Sequence, residues 1–237
     1  MQSTALQGNF ENMTGLAVED IVFPRPRDWS GLPRAEKTRM TLMYAAASEI
    51  YEKGFQAAAL SDILHKAGTT KGALYHHFTD KHALGLLAME HFIDTDMNEI
   101  WLNPFTQTDD PLSVLINLIG FMQTCGALDK GMKYGCPLVN LTEEMSTRDE
   151  AFRALVAKQN LKWRKAMEAA LIRGQAAGNV RKDIDPEGVT VLIMAVRHGV
   201  MSQAKTEKDP SIMEKCAMTF FAYLNSLRPS GDAETVN

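Results

Sequence analysis

Cysteine is scarce in this chain, with only Cys125, Cys136 and Cys216 in 237 residues. An odd, widely spaced set matches neither a disulfide framework nor paired CxxC knuckles, so reduced thiols and no metal are expected. Long hydrophobic runs are missing as well. No stretch reaches the roughly 18 apolar residues of a membrane span. The opening MQSTALQGNF lacks the charged start and apolar segment of a secretory signal. The expected location is therefore cytoplasmic, with no membrane partner. Catalytic signatures are absent too: there is no GxSxG elbow, no HExxH pair and no nucleotide-binding loop. The expectation is a protein that is not an enzyme, with no catalytic residues and no cofactor. Neither strand-like alternation nor an internal repeat is found.

The chain also lacks the positive net charge common in nucleic-acid-binding proteins, standing at −4 overall. The deficit is uneven. From Arg25 to Lys81 nine Lys and Arg face six Asp and Glu, which makes that segment +3 and the remainder −7. A basic segment on an acidic body suits a protein that touches phosphate with one end.

What the sequence does contain is helical periodicity. Residues 1–32 mix Gly, Asn, Thr and Pro without a period, and PRPRDWSGLP carries three prolines, so a flexible tail is expected there. From Arg34, the residues Met40, Met43, Tyr44, Ala47, Ile50 and Tyr51 recur at three- and four-residue steps until Gly54 ends the run. Asp110-Pro111, Asp185-Pro186 and Asp209-Pro210 each open an apolar run. An Asp accepts from orphan first-turn amides, and the proline after it gives up an N–H that had no partner. Asp80 predicts a further helix from Lys81 to about Asn98. Asp149 to Ala177 carries Phe152, Leu155, Val156, Trp163, Met167, Ala170 and Leu171 on one face. The reading is an all-α chain of about nine helices.

The segment SDILHKAGTTKGALYHHFTDK, Ser61 to Lys81, holds the densest chemistry. Ala58 to Lys66 reads as a short helix, Gly68-Thr69-Thr70 as a turn and Lys71 to Phe78 as a second helix capped by Thr70, which together make a helix-turn-helix. Gly68 suits the left-handed conformation of such a turn. Gly72, Ala73, His76 and His77 are expected outward, Leu74 and Phe78 inward. Small residues at the start of an exposed helix permit close approach to a major groove, and its N-terminal amides favour phosphate. A metal site at His76 and His77 is disfavoured, because adjacent helical side chains diverge by roughly 100°. Tyr75 is expected to pack its ring on the first helix with its hydroxyl toward DNA.

The pattern GF-x3-AL-x-DI-x3-AG-TTKGALYHHF-x-DK-x-AL, Gly54 to Leu84, closely resembles the DNA-binding signature of the TetR family of transcriptional regulators. The resemblance is detailed from Arg34 to Leu84. It implies a helix-turn-helix domain over 33–80, a ligand-binding and dimerisation domain over 81–228, and a short tail over 229–237. It further implies a homodimer on a palindromic double-stranded operator, usually a repressor released by a small-molecule effector. Carried over by position, Thr69, Thr70, Lys71, Gly72 and Ala73 meet bases and groove, while Ser61, Tyr75, His76, His77 and Lys81 meet phosphate and bases. One departure is that Ala58 and Ala59 stand where Thr or Ser usually caps the first helix and reaches phosphate.

The effector cavity is expected among Trp101, Phe105, Phe121, Met122, Cys125, Tyr134, Cys136, Trp163, Met167, Met194 and His198, a mostly apolar set with few polar groups. Cys136, in KYGCPLVNLTEEM, precedes Pro137 at a helix start. There it could be an activated sensor thiol or, as preferred, a small buried residue lining the pocket. Arg25 and Arg27 could form a minor-groove arm, with a disordered tail as the favoured alternative. The apolar helices Pro186 to Ala204 and Pro210 to Leu227 would pair with their copies in a four-helix dimer interface. The rival readings are an activator, and an all-α enzyme or ligand carrier with a vestigial helix-turn-helix.

Overall fold

The computed structural model describes Thr14 and residues 21–124 and 133–229, and every regular element among them is helical. The longer helices are α1 Arg34–Lys53, α2 Leu60–Ala67, α3 Lys71–His77, α4 Lys81–Phe92, α5 Pro111–Thr124, α6 Pro137–Met145, α7 Glu150–Ala177, α8 Pro186–Glu207 and α9 Pro210–Ser226. Asp80, Asp110, Asp149, Asp185 and Asp209 each accept an amide hydrogen bond from the first turn of the helix they precede. That local chemistry, together with proline at the first position of α5, α8 and α9, explains why these helices start where they do.

Counting described residues only, the chain packs as two units, one from Asp20–Glu99 with Cys136–Gln159 and the other from Ile100–Gly135 with Asn160–Asn237. The first is cored by α1, whose Leu42, Met43, Ala46, Ala47 and Ile50 are buried, with Ile63, Leu74, Phe92 and Phe152. Fully burying side chains of this size stabilises by roughly 1.5–3 kcal/mol each. The second is cored by Leu112, Leu118, Phe121, Ala170, Leu171 and Leu224.

Three expectations are corrected. Residues 21–32 are not a loose tail in the described chain. Phe23 meets Tyr51 edge-on and Trp29 meets Tyr44. The Arg25 amide and the Arg27 guanidinium both donate to Asp96, and the Arg25 guanidinium pairs with Glu99 at 2.8 Å. Arg25 and Arg27 are thus spent on the body of the protein rather than held out as a DNA arm. The first helix of the helix-turn-helix begins at Leu60, not Ala58, because Ala58 is fully buried in the preceding turn. The helix after Asp80 is not uniform to Asn98: it is α-helical to Phe92 and passes through one π-helical turn, Ile93–Met97, before Asn98–Trp101. Within that turn Asp94 accepts from Asn98 and Gln159, and Asp96 from the Arg25–Arg27 segment, so side-chain bonds hold the widened backbone.

Candidate functional site

Gly68 closes α2 in the left-handed conformation (φ 59°), and the Gly68 and Thr69 amides donate to the last carbonyls of that helix. Thr70 then caps α3 by accepting from the Ala73 amide. Leu74 and Phe78 are buried beneath α3, and Arg39 lies over the Phe78 ring. The opposite side of α3 is open. Lys71, Gly72, Tyr75 and His76 are exposed, while Ala73 and His77 are half-buried, as is Thr69. A methyl group added at Gly72 would meet only Thr70 Oγ1, at 3.9 Å. Internal packing therefore does not require glycine there. A close external approach would.

Tyr75 departs from expectation. Its ring is 49% exposed, with Lys71 Nζ 5.8 Å from its centroid, rather than packed on α2. His76 and His77 lie edge to face, 5.1 Å apart. Ser61 is exposed in the first turn of α2 and bonds to its neighbour Asp62. Ala59 occupies the N-cap of α2 with no side-chain bond, as expected from its missing hydroxyl.

Lys81 points inward. Its ammonium donates to the carbonyls of Phe55 and Gln56 and lies 4.7 Å from the Phe55 ring centroid, and burial lowers its pKa. Sequence reasoning missed its counterpart, Glu144 of α6, which accepts from the Phe55 and Gln56 amides of the same turn. Gly54 is required beside it twice over. Its φ is 86°, and a Cβ would come within 2.8 Å of Glu144 Oε2. His82 Nε2 lies 2.8 Å from Asp149, and its ring meets Phe55 and Phe152.

The basic segment is less available than its charge count suggests. Lys53 pairs with Glu49 and Asp62, and Lys66 with Glu49 and Glu52, joining α1 to α2. Lys71, Arg34 and Lys37 remain as exposed cations near this surface.

In the second unit, Arg197 of α8 packs against two indoles, 4.7 Å from the Trp101 ring centroid and 4.3 Å from that of Trp163. Phe105, Phe121, Met122, Trp163 and Met167 are buried, and Trp101, Tyr134, Met194 and His198 half-buried. Burial, and after it the charge of Arg197, pushes the His198 imidazole down to about 4. His198 Nε2, Thr190 Oγ1 and Asn160 Oδ1 are buried without a hydrogen-bond partner among the described residues.

Residues 42–86 match the profile for bacterial regulatory proteins of the tetR family, and residues 111–220 that for the tetracyclin repressor-like C-terminal domain. The chain belongs to the TetR family. It is a DNA-binding transcriptional regulator. It is similar to the transcriptional regulator AcuR of Cereibacter sphaeroides, 28% identical over 83% of this chain and 88% of that protein. It is also similar to the transcriptional repressor DhaR of a Mycobacterium species, 24% identical over 78% of this chain and 91% of that one. The crystal structure of a regulatory protein TetR from Rhodobacter sphaeroides shares the fold at a TM-score of 0.67. It is 25% identical, covering 78% of this chain and 98% of that one.

Within this TetR-family chain the expected effector residues are not all gathered in one place. Cys136 is buried at the N-cap of α6, in the unit that carries the helix-turn-helix. Cys125 lies outside the described residues. Arg197, Thr190 and Asn160 were missed by the sequence reading. A signal existed for Arg197: between Glu187 and Lys205 it is the single Arg, Lys, Asp or Glu, set in an otherwise apolar run.

Proposed function

We propose that this regulator is a homodimeric repressor that reads a palindromic operator through α3 and leaves it when a small molecule occupies the C-terminal unit. The observation that carries the DNA-reading role is the open face of α3. There a capped N-terminus, a glycine with no internal reason to be glycine, Lys71 and Tyr75 stand together on the surface. The name of the related DhaR, a repressor, favours repression. Dimerisation is supported by α8 and α9, where Val191, Leu192 and Met218 are 46%, 44% and 65% exposed, a cost that pairing with a second copy removes. Two half-sites must be met at once, so a ligand that alters the separation of the two α3 helices weakens binding. By linkage, operator must weaken the ligand to the same degree.

Ligand release is favoured over thiol oxidation at Cys136, because that sulfur belongs to a residue only 4% exposed. The test is a footprint of the purified protein on genomic DNA, followed by titration of the protected site at several salt concentrations. The expected result is a palindromic footprint, with binding weakened by Lys71→Ala and Tyr75→Phe and a shallower salt dependence for Lys71→Ala. Unchanged affinity in both variants would refute the DNA-reading role of α3.

A further inference from the structure

We infer that the effector is a small carboxylate with an apolar remainder, bound by the guanidinium of Arg197 between Trp101 and Trp163. A ligand of this class presupposes the ligand-released regulator proposed above.

An arginine in the middle of an apolar helix is costly to place. Here the two indoles, at 4.7 and 4.3 Å from Cζ to ring centroid, hold the guanidinium plane and screen it from water. A guanidinium bound through its faces still directs its donors along its edge. That planar fork fits a carboxylate with two parallel hydrogen bonds. The next residue, His198, keeps Nε2 buried with no partner among the described residues. Its imidazole is neutral at pH 7 because burial and the adjacent cation disfavour a second charge. A neutral imidazole retains one N–H that a carboxylate oxygen accepts. The groups around Arg197 thus add donors and no second charge.

The apolar part of the ligand is set by helical spacing. Met194 lies three residues before Arg197 on α8, and Met167 four residues after Trp163 on α7, each one turn from the charged centre. Thioether side chains adapt to varied apolar shapes, so this environment suits a hydrocarbon chain or ring rather than a sugar or nucleotide. Thr190 lies seven residues before Arg197 on the same helical face, with Oγ1 buried and unpartnered, and provides a polar contact farther along.

The experiment uses the intact protein and a panel of linear carboxylates from acetate to octanoate, with benzoate, each matched to its neutral primary amide. Binding is followed by tryptophan fluorescence, since two of the three tryptophans flank Arg197, and by calorimetry. At least one carboxylate is expected to saturate, at least about tenfold tighter than its amide. Arg197→Met should abolish that preference and Arg197→Lys should reduce it. If the variants do not fold, the carboxylate-to-amide ratio in the unaltered protein still decides. Amides binding as tightly as their acids, or no saturable binding across the panel, overturns the site. Operator release is measured separately. A carboxylate that binds through Arg197 yet leaves operator affinity unchanged upholds the site and sinks the release mechanism. A neutral effector that releases operator from Arg197→Met protein does the reverse.

Discussion

Glu144 and Phe55 are 89 residues apart in sequence and joined in space: the Glu144 carboxylate accepts the Phe55 amide at 2.9 Å and the next amide, Gln56, at 2.8 Å. Lys81 grips the same turn from its other side through the Phe55 carbonyl at 2.7 Å. The turn that delivers α2 is thereby held at both its donors and its acceptors.

Removing the carboxylate leaves two amides without their acceptor. Glu144→Ala is expected to cost about 1–3 kcal/mol, the usual penalty for unsatisfied donors in a partly buried setting. Thermal unfolding would show it as a lower midpoint, and operator affinity should fall in parallel as α2 loosens. An unchanged midpoint would mean that water replaces Glu144 at no cost.

Ala59 caps α2 without a side-chain acceptor and is exposed. Ala59→Ser should stabilise the protein by ~1 kcal/mol by satisfying an amide of the first turn. The hydroxyl also restores the phosphate contact that the family pattern implies. Tighter operator binding is therefore expected, beyond what the stability gain explains. Chemical denaturation and operator titration on the same samples separate the two effects.

Gly72→Ala distinguishes an outward role from an inward one. The added methyl has open space and removes a helix-destabilising glycine, so stability should be unchanged or raised by up to ~1 kcal/mol. Operator binding should nonetheless weaken, because the methyl occupies the room through which α3 approaches the groove. A variant that is both more stable and equally tight on DNA would remove Gly72 from the interface.

Acid should destabilise the second unit through His198. Its folded pKa of about 4 lies below the ordinary 6.5, so the unfolded chain binds the extra proton first. Stability from this residue is complete above pH 6.5 and is lost as pH falls toward 4, by up to ~3 kcal/mol. His198→Gln removes the titrating group and should flatten the stability profile between pH 6.5 and 4. Urea unfolding across that range measures the slope.

The starts of α3, α4, α5, α7, α8 and α9 are legible in the sequence because a capping side chain reaches an amide only two or three residues away. The turn at Gly68 is legible for the same reason: a left-handed residue is a local requirement, and glycine meets it at least cost. Which side of α3 faces outward follows from the 3.6-residue period alone, since Leu74 and Phe78 fall on one side and Lys71 and Tyr75 on the other. The family pattern is built from these same local requirements, so the order of residues is enough to display it.

Tertiary structure decided the fate of the charges. Arg25 and Arg27 looked like an arm or a loose tail, yet Asp96 and Glu99, about seventy residues later, hold them. Lys53 and Lys66 counted toward a basic surface, but Glu49, Glu52 and Asp62 neutralise them. Lys81 lies on the family's contact pattern but faces the Phe55 carbonyl. Arg197 was one cation in an apolar helix until folding set Trp101 and Trp163 against it. Caps and turns are settled within a few residues of chain. The partner of a long, charged side chain is settled by which distant elements pack beside it, and no local pattern records that.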